Sequence, residues 1–259
     1  MQEMTGGLLA IFVGVFAEQW AVEKRIDVLQ RAELAGCPVT LGSIGRKPVL
    51  VCRTGLGRTR GRAAAEAVLS KHAPSAVLSA RMAASVTEEI CAGDIVLCER
   101  NYTCIGAAVS PEPAPEADRR LLTMAEQAAR AAGLRYTLGN TLSLFRESPG
   151  LEGHEAEMRL DEMAVVDAGG YIVAEAARET GAPFLAVRAA LGPVAEVATE
   201  TLMLASERGH LRPGKAALHY LPRPRNAQAF LRLAFGVKKG TKRLSAFTAG
   251  FLREWSLEP

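Results

Sequence analysis

Aromatic residues make up only 5% of this 259-residue chain, and no hydrophobic run is long enough to cross a bilayer. The longest, Leu8 to Ala17, is half the required length and no basic residue precedes it, so it reads as neither a membrane span nor a leader. A cytoplasmic protein is the expectation. Histidine is scarce, with four in the chain, and none shows metal-ligand spacing: His154-Glu155 lacks the second histidine of a zinc-binding helix. The five cysteines (Cys37, Cys52, Cys91, Cys98, Cys104) are odd in number and lack C-x-x-C spacing, which argues against a disulfide framework and for buried free thiols in a reducing compartment. Net charge is only +3, so nothing global asks for a nucleic-acid partner. No metal and no organic cofactor is indicated.

What the chain does have is aliphatic residue. Hydrophobic residues make up 49% of it, enough for one well-buried α/β domain. Leu8 to Phe16 reads as a buried strand, and Glu18 to Ala35 as a helix closed by Gly36 and Pro38. Pro48 to Cys52 is a second strand; Arg53 to Gly57 forms a tight turn, and Thr59 to His72 an alanine-rich helix. Strands follow at Ser75–Ser79 and Ile95–Cys98. The proline-rich stretch Ser110–Glu116 is a loop before a helix over Ala117–Ala132. Ala164–Asp167 is a short strand, Gly169-Gly170 precedes a helix over Tyr171–Thr180, and Pro183–Ala189 is a further strand. Alternating strands and helices predict a three-layer α/β domain, its largely parallel or mixed central sheet flanked by helices.

Composition changes near Gly209. From His210 onward there are ten Lys and Arg against two acids, Glu254 and Glu258, so this stretch carries +8 and the rest of the chain −5. The expected division is a main domain over 1–209 and a basic helical extension over 210–259. Two amphipathic helices, Ala227–Phe235 and Leu244–Trp255, either pack on the main domain or present a basic, apolar-faced surface to a membrane or acidic partner.

Gly55-Leu56-Gly57 lies between a strand and a helix, where backbone N–H groups bind anions well. The dinucleotide fingerprint G-x-G-x-x-G is not met: Gly61 falls one residue late, and the next strand ends in Leu78-Ser79-Ala80 without an acid for a ribose hydroxyl. A phosphate-binding turn and an ordinary tight turn remain as readings.

Five segments in order carry a wider pattern: Val13-Gly14-Val15-Phe16-Ala17-Glu18; Thr54-Gly55-Leu56-Gly57-Arg58; Ala92-Gly93-Asp94-Ile95-Val96-Leu97; Val165-Val166-Asp167 with Gly170-Tyr171-Ile172-Val173-Ala174; and Pro183 to Ala189. Together they resemble the purine and uridine phosphorylase superfamily, which includes the methylthioadenosine/adenosylhomocysteine nucleosidases, over about residues 8–195. The basic tail is similar to the hopanoid-associated phosphorylase branch, thought to remove adenine from a lipid-linked nucleoside. The resemblance implies a nucleoside-like ligand, phosphate as a possible co-substrate, and a homo-oligomer.

N-glycosidic cleavage builds positive charge on the ribose and negative charge on the leaving base. Such a site needs a carboxylate under the sugar, an acid for the base, and an attacking phosphate or water. At the positions this family uses, the glutamate of V-D-M-E-[SG] is Gly169 and its methionine is Ala168. The aspartate of R-A-x-S-D is Gly192. The loop N-T-G-S-A-G-G is Leu78 to Ala84, with Arg81 at its pocket-facing serine and Ala83 and Ala84 at its glycines. Only the N-terminal acid remains, as Glu18. Glu196 is a candidate substitute acid, and Arg81 either favours an anion or forms a structural ion pair with Glu18 or Asp94. Gly55, Gly57, Arg81, Met82, Ala168, Gly169 and Arg188 are the candidate ligand-binding positions. Three readings follow: a degenerate homologue that binds a nucleoside-like or anionic ligand; an active phosphorylase or nucleosidase using Glu18, Glu196 and Arg81; or a peripheral membrane or interaction protein acting through its tail.

Overall fold

The computed structural model describes residues 7–105, 108–109, 115–145, 148, 154, 158–194 and 224–258, with the backbone alone at 105 and over 224–230. A single sheet runs through it. β1 (Leu9–Val13) lies parallel between β4 (Lys47–Arg53) and β5 (Ala76–Ser85). β5 pairs in parallel with β10 (Phe184–Pro193), and β10 runs antiparallel to β6 (Ile95–Ile105). β6 continues to β8 (Tyr136–Leu144), β8 to β9 (Val165–Ala168), and β9 returns to the end of β5. The pairings β5–β10–β6–β8–β9–β5 therefore close on themselves. The other side of the sheet stays open through β4, β3 (Cys37–Ile44) and β2 (Asp27–Leu34). A short β7 (Ala108–Val109) pairs with β6. The mixed sheet with flanking helices agrees with the sequence reading.

Two aliphatic cores lie on opposite faces. One packs α2 (Arg58–His72) and α4 (Tyr171–Thr180) through Ala64, Ala65, Val68, Ile172, Val173 and Ala176. The other packs α1 (Phe16–Glu23), α3 (Arg119–Ala131) and α5 (Pro224–Leu257). Alanine-rich helices suit this, because short side chains let helix and sheet approach closely where aromatics are few. Helix ends follow local rules: Asp118 Oδ1 accepts the Leu121 N–H at 3.0 Å to open α3, and Gly181 closes α4 at φ +68°.

Two expectations are corrected, and one strand is new. The helix expected over Glu18–Ala35 ends at Glu23, and its remainder holds β2, which turns through Ala35 and Gly36 at φ +49° and +72° into β3. β8, with Gly139 and Asn140 in its middle, had no counterpart in the sequence reading. The two tail helices are one helix, α5, across Gly236 and Gly240. A Cβ at Gly236 would overlap the Leu191 carbonyl oxygen, so this glycine lets α5 lie against β10 instead of breaking the helix. Leu244, Phe247, Phe251, Leu252 and Trp255 of α5 are buried in the main core, so the far half of the tail packs on the protein's own body. Of the five free cysteines, four are buried and Cys91 is exposed.

Candidate functional site

The parallel strands β1, β4, β5 and β10 carry their carboxyl ends to one rim of the sheet, where ligands of open α/β sheets bind. Arg81 and Arg188 are direct register partners on β5 and β10, so two guanidinium groups lie side by side there, both fully buried. Buried cations must be paired or hydrogen-bonded. Arg188 is held by Asp167: Nε donates to Asp167 Oδ2 at 2.6 Å, and Nη1 donates to the Ser79 carbonyl at 2.7 Å. Asp167 Oδ1 in turn accepts the Ser143 hydroxyl at 2.5 Å and the Gly170 N–H at 3.2 Å. A Cβ at Gly170 would collide with Asp167 Oδ2 and Arg188 Nη2, so the glycine there makes room for the pair.

Arg81 is wired differently. Its Nη1 donates to the Ala168 carbonyl at 2.9 Å and its Nη2 to Thr54 Oγ1 at 2.6 Å, both neutral oxygens. Nε of Arg81 and Nη2 of Arg188 have no hydrogen-bond partner among the described residues. Burial lowers the pKa of the Arg81 guanidinium, opposed by the fields of Asp167 and Glu18.

Glu18 sits beside Arg81, and a Cβ placed on Gly14 would lie 2.8 Å from Arg81 Nη1 and 3.3 Å from Glu18 Oε2. The carboxylate is occupied by backbone: Oε2 accepts the N–H groups of Gly14 and Val15 at 2.6 and 2.9 Å, and Oε1 that of Met82 at 2.6 Å. Burial raises the Glu18 pKa above its ordinary value, while Arg81 and these three amides pull it down. Of the two ion-pair partners foreseen for Arg81, Glu18 is its neighbour, whereas Asp94 pairs with Arg135 at 3.2 Å.

The structure thus brings Glu18, Arg81, Met82, Ala168, Gly169 and Arg188 to one place. Gly169 follows β9 at φ +79°, a backbone that side chains rarely adopt, close to Leu56 and Phe145. Gly55, at φ +74°, and Gly57, the N-cap of α2, shape the turn after β4. Gly192 lies within a register shift near the end of β10 and lines a groove with α5. Glu196 lies outside the described residues. Glu175 points away and pairs with Arg62. Sequence reasoning missed the Asp167–Arg188 pair, because the alignment of β9 with β10 is set by the sheet. Among the described residues, no group of three or more His, Cys, Asp or Glu could hold a metal ion.

The family model of the phosphorylase superfamily matches residues 12–221. The chain belongs to this superfamily. A methylthioadenosine/S-adenosylhomocysteine nucleosidase of Lysinibacillus sphaericus is 25% identical over 190 residues, covering 65% of this chain and 82% of that protein. The fold is shared with the solved methylthioadenosine/S-adenosylhomocysteine nucleosidase of Neisseria meningitidis, in complex with methylthio-immucillin-A. There the TM-score is 0.73 at 14% identity, covering 96% of this chain and 99% of that one. Futalosine hydrolase of Helicobacter pylori gives the same TM-score and identity, covering 96% and 98%. At this rim Glu18 is engaged by three backbone amides, and Gly169 carries no side chain.

Proposed function

We propose that this phosphorylase-superfamily protein binds a nucleoside-like or anionic small molecule and does not cleave ordinary purine nucleosides. The observation that carries this reading is the seat of Arg81. Its guanidinium stands where the superfamily resemblance puts a small serine, and it is tied to Thr54 and to the carbonyl of Ala168, next to Gly169. A group that large fills the space a sugar needs, and its buried Nε, without a hydrogen-bond partner among the described residues, leaves a donor that an anion would satisfy.

Cleavage also needs an acid at the leaving base and a free carboxylate near the sugar, each worth on the order of 10²–10⁴ in rate. Gly169 and Gly192 supply neither, and Glu18 accepts three backbone hydrogen bonds that it must keep to hold the ends of β1 and β5 together. An active enzyme working through Glu18, Glu196 and Arg81 therefore has less support.

The test is base release. Purified full-length protein is incubated with methylthioadenosine, adenosylhomocysteine, adenosine and inosine, with and without phosphate, and free adenine or hypoxanthine is measured by chromatography. The expected result is no release above the protein-free control. Free base accumulating in proportion to protein, with or without phosphate, would refute the reading.

A further inference from the structure

The packing of α5 leaves one of its faces unexplained. Its inward side, centred on Gly236, Gly240, Leu244, Phe247 and Phe251, is buried. The opposite side carries Leu231, Phe235, Lys238, Lys242 and Arg253, all exposed and spaced to share one stripe of the helix. Leu231 and Phe235 are 67% and 64% exposed and lie one helical turn apart, so they form a patch. They also form one wall of a cavity of about 490 Å³, whose other walls include Ile90, Ala92, Leu191 and Pro193, so the apolar surface continues off the helix. Lys238, Lys242 and Arg253 make no side-chain hydrogen bond or ion pair among the described residues. No acid occurs anywhere between Pro224 and Arg253.

We infer that this stripe of α5 docks the protein on an anionic phospholipid surface. Leu231 and Phe235 enter the headgroup boundary, and Lys238, Lys242 and Arg253 lie against the lipid phosphates. From Leu231 to Arg253 the stripe runs about 33 Å along the helix at 1.5 Å per residue, enough to touch several headgroups at once. Charge complementarity selects an anionic partner. The two bare apolar side chains beside the cations select a bilayer over a nucleic acid, because a row of phosphates and sugars offers a leucine side chain no apolar medium to enter. The mode is surface contact only: no helix among the described residues is long and apolar enough to cross a membrane. The inference is independent of whether the superfamily site cleaves or only binds.

Full-length protein is sedimented with vesicles of phosphatidylcholine alone and of phosphatidylcholine with phosphatidylglycerol in equal parts, at low and high salt. The expected result is pelleting with the acidic vesicles only, weakening as salt screens the charges. Each Lys contributes roughly fivefold, so Lys238→Gln with Lys242→Gln should weaken the partitioning roughly 25-fold. Leu231→Ser with Phe235→Ser should also reduce it. All four side chains are exposed, and circular dichroism checks that the fold persists. As a second readout, Phe235→Trp should show lipid-dependent quenching by brominated phosphatidylglycerol. No pelleting with acidic vesicles, equal pelleting with neutral ones, variants indistinguishable from the parent, or retention by single-stranded DNA in place of vesicles would each overturn the inference.

Discussion

Arg81 and Arg188 stand opposite each other on neighbouring strands, equally buried, yet they are held in different ways. Arg188 has a carboxylate 2.6 Å away, and that carboxylate has its own hydroxyl and backbone donors. Arg81 has only a hydroxyl and a carbonyl, with its acidic neighbours acting through space. The first arrangement is a buried ion pair that ties β9 and the start of α4 to β10. The second is a buried cation held by neutral oxygens, with Glu18 as its neighbour. Two identical residue types at near-identical burial are thus held by different chemistry, one by an ion pair and one by neutral hydrogen bonds.

Stability measurements by denaturant unfolding can break that distinction. The largest loss is expected for Arg188→Ala, about 3–5 kcal/mol, because it leaves Asp167 buried without its cation. Replacing both members, Asp167→Leu with Arg188→Met, should recover most of it; no recovery would mean the strand contacts, and not the charge, are what Arg188 supplies. Arg81→Ser should cost less, about 1–3 kcal/mol, since it gives up hydrogen bonds to neutral groups only. A cost equal to that of Arg188→Ala would erase the comparison. Gly169→Ala should cost about 1–2 kcal/mol from its left-handed backbone alone, because a Cβ there meets Leu56 and Phe145 only at ordinary contact distance. Gly169→Glu carries the same backbone cost. The smallest effect is expected on the outer face of α5, where Lys238→Gln with Lys242→Gln should leave stability within about 0.5 kcal/mol, as is usual for exposed side chains.

Much of the fold could be read from sequence because its strands are continuous aliphatic runs: Leu9–Val13, Lys47–Arg53 and Phe184–Pro193 all contain such runs, and each was anticipated in position. The hairpin strand β2 was not legible. Seven of its eight residues are exposed, so it has neither a buried run nor a clean alternation, and its charged residues fit a surface helix equally well. Strand β5 also extends beyond the expected Ser75–Ser79 to include Arg81, since a buried arginine interrupts the hydrophobic signal that marks a strand, whereas the strand expected over Pro183–Ala189 already held Arg188. For the site, the motif positions located Glu18, Arg81, Ala168 and Gly169 together. What the sequence could not express is the register that sets Arg81 beside Arg188, or the choice of Asp167 as partner to one and not the other. Those depend on strand pairing between segments about a hundred residues apart.

The measurement that bears most directly on the central claim is a calorimetric titration of the parent protein and of Arg81→Ser with methylthioadenosine under identical conditions. If the Arg81 guanidinium occupies the sugar's place, the serine variant should bind at least about tenfold more tightly, a difference of about 1.4 kcal/mol. Tight binding by the parent that is lost in Arg81→Ser would contradict the account and make Arg81 a direct ligand of the nucleoside.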